Sequence, residues 1–295
     1  MRLVGLSYPF GEPPAGRREG EVLSADGKQE TGAQRVMGTI CPLTGLPTQH
    51  TRFFWDFLTM SFWVRENLVT EQETVCYHQP GFGFAAEVRN RVCAKFAASD
   101  GGDWLFFLDA DNTFQPDILK RMLDSQQEIA EQHGACDILT GLYFKKWPPF
   151  EPLAYHETDK NPFVHTLDYP AEPFEVSGCG AGCLLIQRPV IERILMELRV
   201  LPFGWIGTLH NRQSAVWMEK YMRDFTTEDF PFNLRCKELG YKTWCDPRIT
   251  LGHMTLAEIT DQDFLEFRER SRLQAAAQEA APPGGNPLTT QSITV

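Results

Sequence analysis

The stretch Trp104-Leu105-Phe106-Phe107-Leu108 runs directly into Asp109-Ala110-Asp111. Five consecutive apolar residues without helical spacing predict a strand that is buried on both faces, as in parallel sheets. Open α/β sheets bind ligands in the crevice beyond the carboxyl ends of their strands, so both carboxylates are expected there.

The spacing of Asp109 and Asp111 predicts a cation site. In an extended chain, residues i and i+2 point to the same side, so the two carboxylates would repel each other without a positive charge or a shared proton. A divalent metal bound together with a phosphate-bearing ligand would resolve that repulsion. The alternative is a pair of acidic turn residues that cap the following helix, a role that Asp117 could also fill.

The overall composition and charge limit the kinds of molecule that the protein is expected to bind. The 295 residues contain 39 Asp and Glu against 28 Lys and Arg, which gives a net charge of −11. Because no cluster of basic residues offsets this charge, nucleic acid and anionic membranes are not expected as partners. No apolar stretch has the roughly 20 residues that span a bilayer, and no export signal is recognisable, so a cytoplasmic location is predicted.

Strands and helices alternate along the first half of the core, which predicts a mostly parallel sheet with helices on its faces. Residues 1–34 are rich in Gly, Pro, Glu and Arg and are expected to form a loose arm. Residues 35–270 are expected to form one α/β domain, and residues 271–295 a flexible tail. Helices are predicted over residues 51–68, 85–98 and 230–238, and strands over residues 36–41, 104–108 and 183–187.

Two further stretches are candidates for a ligand site. The glycine cluster at residues 178–182, centred on Gly180, would let the backbone approach a ligand or a neighbouring strand closely, although an ordinary tight turn is the alternative. Phe203 and Trp205, beside Gly204 and Gly207, suggest a mobile aromatic wall for a sugar or an acceptor, with ordinary core packing as the alternative.

Other polar residues lie downstream. Glu228 and Asp229 begin a predicted helix, and His253 ends a strand-like stretch. Taken singly, the acidic pair could be a helix cap and the histidine a structural residue. Together with Asp109 and Asp111 they supply oxygen and imidazole ligands for a metal and a carboxylate that can act as a base.

The order of these motifs resembles the GT-A-fold glycosyltransferases, and in particular their family 2-like members. The resemblance extends over about residues 35–255. It implies a GT-A (Rossmann-like) α/β fold with a mixed, mostly parallel sheet, a nucleotide-diphosphate sugar as donor, and Mn2+ or Mg2+. The enzyme would be a glycosyltransferase of the hexosyltransferase type, acting on a glycan, a lipid-linked or a small-molecule acceptor.

The resemblance also implies roles for individual residues. Asp109 would contact the ribose and could touch the metal, while Asp111 and His253 would be metal ligands. Arg89 and Gly180 would lie beside the nucleotide sugar, and Thr39 and Pro42 would line the base pocket. If the reaction inverts the sugar centre, Asp229 or Glu228 would deprotonate the acceptor.

The chain departs from the family pattern in two places. Leu43 follows Pro42 where polar residues are usual, and the acidic pair lacks the Gln-x-x-Arg-Trp continuation of processive synthases. Transfer is therefore expected to be non-processive. Two alternatives stay open: a haloacid-dehalogenase-like phosphatase with Asp109 as nucleophile, and a non-catalytic module that binds a sugar nucleotide.

Overall fold

The computed structural model describes residues 34–43, 51–79, 83–204, 227–255 and 258–280. The strands are, in chain order, β1 (Arg35–Leu43), β2 (Glu73–Tyr77), β3 (Trp104–Asp109), β4 (Asn112–Thr113), β5 (Ile138–Leu142), β6 (Ala154–His156), β7 (Val164–His165), β8 (Phe174–Val176), β9 (Gly178–Cys179), β10 (Cys183–Gln187), β11 (Thr243–Thr250), β12 (Gly252–Met254) and β13 (Glu258–Ile259). The helices are α1 (Thr51–Asn67), α2 (Ala85–Ala98), α3 (Ile118–His133), α4 (Arg188–Arg193), which continues into a π-helical turn (Ile194–Leu198), α5 (Asp229–Glu238) and α6 (Asp261–Ala280).

The central sheet in the described part of the chain has seven strands in the order β2-β1-β3-β10-β5-β11-β8. Strand β1 is parallel to β2 and β3, and β5 is parallel to β11. Strand β10 is antiparallel to both of its neighbours, and β8 is antiparallel to β11. Five strands therefore run in one direction, and the predicted mixed, mostly parallel α/β sheet is confirmed.

Strand β3 divides the core because its side chains alternate between two hydrophobic clusters. Phe106 and Leu108 pack with α1 and α3 on one face, whereas Leu105 and Phe107 pack with α2, α4 and α5 on the other. Trp104 to Leu108 are all buried. The expectations of a doubly buried strand and of helices on both faces of the sheet are thus confirmed, an arrangement consistent with a GT-A fold.

Two small sheets lie beside the central one, in the orders β13-β12-β4 and β7-β6-β9. Strand β4 follows the turn at Ala110 and Asp111 and pairs with β12, so that Asn112 lies opposite His253. This pairing brings the end of β3 next to His253, which lies far away in the sequence.

The predicted divisions of the chain stay predictions. Residues 1–33 and 281–295 lie outside the described residues, while α6 continues past residue 270 to Ala280. No helix in the described ranges is long and apolar enough to cross a membrane.

Truncation of a β3 side chain should be costly. Phe106 is completely buried, so we expect Phe106→Ala to lower the free energy of unfolding by about 3–5 kcal/mol in urea denaturation. Phe62→Ala is the matched control, because Phe62 on α1 is 61% exposed and its loss should change stability by no more than about 0.5 kcal/mol. Equal losses for the two variants would contradict the assignment of β3 to the centre of the core.

Candidate active site

A cleft of about 490 Å³ lies at the carboxyl ends of β3 and β5. Its polar lining consists of ionisable side chains from several elements: Asp109, Asp111, Lys145, Lys146, His165, Asp229 and His253. Aromatic side chains complete the wall, namely Tyr143, Trp147, Tyr155 and Phe230. Volume and position are those of a small-molecule site in an open α/β sheet.

Arg89 is the buried cation beneath this cleft. Its Nη2 donates to both carboxylate oxygens of Asp109, at 2.8 and 3.0 Å. Its Nη1 donates to Glu228 Oε1 at 2.5 Å and to Asp229 Oδ1 at 3.1 Å. Arg89 is only 2% exposed and is absent from the cleft lining, so it holds three carboxylates in place from beneath the cleft, and its place beside a nucleotide stays a prediction.

Asp229 is placed at the cleft by the first turn of α5. Asn233, one turn later, donates to the Asp229 and Cys179 carbonyl oxygens, both at 2.9 Å, and so fixes α5 against the glycine cluster. Neither Glu228 nor Asp229 is a conventional side-chain cap of this helix, since Glu228 makes no capping hydrogen bond and both carboxylates accept from Arg89.

The environment of Asp229 prepares it to exchange a proton near neutral pH. Burial raises its pKa, Arg89 lowers it, and the nearby Glu228 and Asp109 raise it, with a result of about 7. A general base works best when its pKa lies near the operating pH. Glu228 is absent from the cleft lining, so Asp229 is the better candidate for a base.

Asp111 and His253 approach each other at the opposite side of the cleft. The Met254 N–H donates to the Asp111 carbonyl oxygen at 2.7 Å, which holds β12 against the turn after β3. As a result His253 Nε2 lies 3.6 Å from Asp111 Oδ1, too far for a hydrogen bond. Asp111 Oδ1 is buried and has no hydrogen-bond partner in the described part of the chain.

The backbone orients the ring of His253. His253 Nδ1 lies 2.6 Å from the Phe144 carbonyl oxygen, which can only accept, so Nδ1 carries a proton and Nε2 is the ring nitrogen on the side of Asp111. Metal-binding histidines are commonly oriented in this way. The edge of Tyr143 packs on the same imidazole, with the ring centroids 5.4 Å apart.

Lys146 supplies the charge beside Asp111. Its ammonium donates to Asp111 Oδ2. Burial alone would raise the pKa of Asp111, but His253 and Lys146 outweigh it and hold that pKa below its usual range. Asp111 is therefore ionised at neutral pH.

The residues predicted as metal ligands do not form one cluster. No group of three or more His, Cys, Asp or Glu side chains within the described ranges is arranged to hold a metal ion. Both oxygens of Asp109 accept hydrogen bonds from Arg89, whereas Asp111 and His253 approach each other to 3.6 Å at the cleft. The alternative was that these acids cap α3. Asp117 precedes that helix without a side-chain capping hydrogen bond, and Asp109 and Asp111 have the cationic partners described above.

The residues predicted around the nucleotide lie in different environments. Pro42 is buried at the end of β1 beside Leu108, next to the cleft but outside its lining. Thr39 lies deeper in the sheet beside Leu105, and its hydroxyl donates to the Gly101 carbonyl oxygen at 2.8 Å, away from Asp109. The structure therefore does not bring Thr39 to the cleft.

Gly180 does line the cleft, and it also makes room for Tyr143. A Cβ atom on Gly180 would lie 2.3 Å from the Tyr143 hydroxyl oxygen, and one on Gly182 would lie 2.9 Å from it. The Gly182 N–H donates to the same hydroxyl at 2.7 Å. Close packing against this tyrosine accounts for these two glycines.

The prediction that Phe203 belongs to a mobile aromatic wall is wrong. This side chain is fully buried, stacks on Phe232 with ring centroids 4.7 Å apart, and lies 5.6 Å from the Arg89 guanidinium. It is therefore a core residue that supports Arg89. Trp205 and Gly207 lie outside the described residues.

Lys146, Tyr143 and Trp147 belong to the cleft but were not predicted from the sequence. All three follow β5 directly, so their place at the carboxyl edge of a predicted parallel sheet was the available signal.

Comparisons with known proteins give only distant similarity. No family model matches the chain, and no curated protein sequence matches it. The crystal structure of A197 from STIV has a TM-score of 0.45 and 19% identity, covering 75% of this chain and 86% of that one. The crystal structure of GalNAc-T7 with UDP, GalNAc and Mn2+ has a TM-score of 0.38 and 9% identity, covering 87% of this chain and 53% of that one. Neither similarity indicates what this chain binds or catalyses.

Replacement of Arg89 should test its role as the common partner of three carboxylates. Arg89→Met removes the cation and leaves the carboxylates to repel one another, so we expect a loss of about 3–5 kcal/mol in urea denaturation at neutral pH. Without Arg89 the pKa values of the carboxyl groups rise in the folded state. The loss should therefore shrink as the pH falls and the groups take up protons, which a comparison at about pH 8 and about pH 5 will measure.

Arg35→Met provides the control for Arg89→Met. Arg35 pairs with Asp103 at 2.7 Å, but both side chains are more than half exposed, so its loss should cost no more than about 1 kcal/mol. A comparably small, pH-independent cost for Arg89→Met would show that the carboxylates do not depend on it.

Proposed function

We propose that this chain is a divalent-metal-dependent glycosyltransferase with a GT-A-like, family 2-like domain that transfers one sugar from a nucleotide-diphosphate donor to an acceptor hydroxyl. The observation that carries the proposal is the pair formed by Asp111 and His253. Asp111 Oδ1, a buried carboxylate oxygen without a hydrogen-bond partner among the described residues, lies 3.6 Å from Nε2 of His253, the ring nitrogen that the backbone does not hold. Asp229, with a pKa of about 7, lines the same cleft.

The chemistry of this pair fits a metal ion that is shared with a substrate. Asp111 and His253 would hold Mn2+ or Mg2+, and such ions usually take their remaining ligands from water and substrate phosphates. A metal site of this kind needs only two protein ligands, which agrees with the absence of a three-residue cluster in the described ranges. When bound, the metal would supply Lewis acidity that neutralises charge on the departing diphosphate.

Asp229 would act on the acceptor. Its carboxylate lines the cleft and is held through Oδ1 by Arg89, so it has a fixed position from which to accept a proton from an acceptor hydroxyl. Because the same contact fixes Asp109 and Glu228, the base cannot move without disturbing its neighbours. This role requires an inverting reaction. The proposal also includes a glycan, lipid-linked or small-molecule acceptor and a cytoplasmic location, and these two parts rest on the sequence alone.

The phosphatase alternative is less well supported. A nucleophilic Asp109 would need a free carboxylate oxygen, whereas both of its oxygens accept hydrogen bonds from Arg89. Release of phosphate from simple phosphomonoesters with Mg2+, with an aspartyl-phosphate at Asp109, would favour that alternative. Donor binding without turnover would favour the non-catalytic module.

Asp111→Asn should abolish metal-dependent donor binding and turnover. A panel of sugar nucleotides with Mn2+ should contain a donor that stabilises the native protein by about 2.7 kcal/mol at 100 times its dissociation constant. We expect that stabilisation and the release of nucleoside diphosphate to disappear in Asp111→Asn, since the amide cannot replace the anionic ligand. Asp124→Asn is the control, because Asp124 forms an exposed pair with Lys120 on α3.

Two results would contradict the proposal. One is full metal-dependent turnover by Asp111→Asn, and the other is the absence of stabilisation of the native protein by any donor with Mn2+.

The pH profile should identify Asp229 as the base. The rate of transfer should rise as the pH passes upward through about 7, because the carboxylate must lose its proton before it can accept one from the acceptor. Asp229→Asn should lower the rate by roughly 10²–10⁴-fold and remove this rise while donor binding persists. An unchanged pH profile in Asp229→Asn would exclude this residue as the base.

A further inference from the structure

Lys146 occupies a position that the proposed function leaves without a role. Its ammonium contacts Asp111 Oδ2, while Asp111 Oδ1 faces His253. Asp109, the neighbouring acid, already has Arg89 as its counter-ion. Lys146 is therefore the cation that balances Asp111 among the described residues.

The two consecutive lysines after β5 are held differently. Lys145 Nζ donates to Glu151 at 2.7 Å, and Glu151 also lies 3.3 Å from His165. The charge of Lys145 is thus balanced within its own loop. Lys146 has no acidic neighbour in that loop and reaches across the cleft to Asp111.

Backbone hydrogen bonds hold the loop around Lys146, and its side chain lies partly exposed at the cleft. The Lys145 N–H donates to the Glu151 carbonyl oxygen at 3.0 Å, and the Leu153 N–H donates to the Tyr143 carbonyl oxygen at 2.9 Å, which joins the two arms of the loop. The Lys146 side chain is 26% exposed and lies at the cleft. A lysine ammonium on its flexible four-carbon stem can exchange one anionic partner for another without movement of the backbone.

We infer that Lys146 is an exchangeable counter-ion: it neutralises Asp111 until a divalent metal replaces it, and its released ammonium then pairs with the diphosphate of the donor. This inference rests on the proposed function, because it assumes that Asp111 is a metal ligand. It assigns Lys146 to diphosphate recognition, a role that the metal ligands and the base do not cover.

The inference predicts two opposite effects of one substitution. Lys146→Met removes a competitor for Asp111, so Mn2+ alone should bind more tightly. The same variant lacks the ammonium that pairs with the diphosphate, so the metal complex of a diphosphate should bind more weakly. A side chain that only maintained the shape of the cleft would not shift the two affinities in opposite directions.

The first measurement is Mn2+ binding to the full chain without nucleotide, in which electron paramagnetic resonance quantifies the free ion. We expect Lys146→Met to bind Mn2+ about tenfold more tightly than the native protein, since a charge-assisted hydrogen bond no longer has to be broken. Lys120→Met is the matched control, because it removes the same charge from a lysine outside the cleft lining, where it forms an exposed pair with Asp124. Its affinity for Mn2+ should stay within about twofold of the native value.

The second measurement is calorimetric titration with the Mn2+ complex of inorganic pyrophosphate, a probe that does not require the base or the sugar to be known. Lys146→Met should bind this complex about tenfold more weakly than the native protein, and Lys120→Met should not. Lys146→Gln, which keeps a polar side chain, should behave like Lys146→Met. Circular dichroism spectra of all variants will verify that they are folded.

The outcomes separate this inference from the proposed function. Native-like Mn2+ and pyrophosphate affinities in Lys146→Met, with donor turnover still lost in Asp111→Asn, would overturn the inference and leave the proposed function standing. Tighter Mn2+ binding in both lysine variants would also overturn it, because the effect would then be general electrostatics. A lack of Mn2+ binding to the native protein and to Lys146→Met would overturn both.

Discussion

The contact of Arg89 with three carboxylates organises the candidate site. One guanidinium on α2 joins Asp109 at the end of β3 to Glu228 and Asp229 at the start of α5, which lie about 140 residues after Arg89 in the chain. A single positive charge faces three negative ones, so the cluster keeps an excess of negative charge in a buried setting. Buried charges without full compensation respond by taking up protons, and this explains why the pKa of Asp229 reaches about 7. Arg89 holds the elements together, whereas burial and the neighbouring carboxylates, which one cation does not fully compensate, raise the pKa of Asp229 into the neutral range.

The sheet could be predicted from the sequence because β3 is encoded by a local pattern. A short, unbroken apolar run rich in aromatic residues favours a strand covered on both faces, and the two clusters on either side of β3 agree with this. The helix over residues 85–98 and the strand over residues 183–187 were also predicted with the bounds that the structure has. In each case the signal is a local pattern, an apolar run or a helical periodicity, that depends only on near neighbours in the chain.

The partners of the acidic pair could not be predicted from the sequence, for a physical reason. Asp109 and Asp111 both line the cleft, but the strand ends at Asp109 and a turn begins at Ala110. The turn separates the partners of the two carboxylates, so Asp109 meets Arg89 below the cleft and Asp111 meets Lys146 and His253 across it. Those partners depend on pairing between distant segments, such as β4 with β12, which no local pattern contains.

Tyr143 explains why the glycine cluster and His253 belong to the same site. The tyrosine is the first residue after β5, and its hydroxyl fits against Gly180 and Gly182, where any side chain would collide with it. The edge of its ring packs against the imidazole of His253, whose Nδ1 is held by the carbonyl oxygen of the next residue, Phe144. A larger residue in place of either glycine would displace Tyr143 and with it the support of the imidazole. The glycines therefore act on the site through the orientation of His253, without any need to touch a ligand.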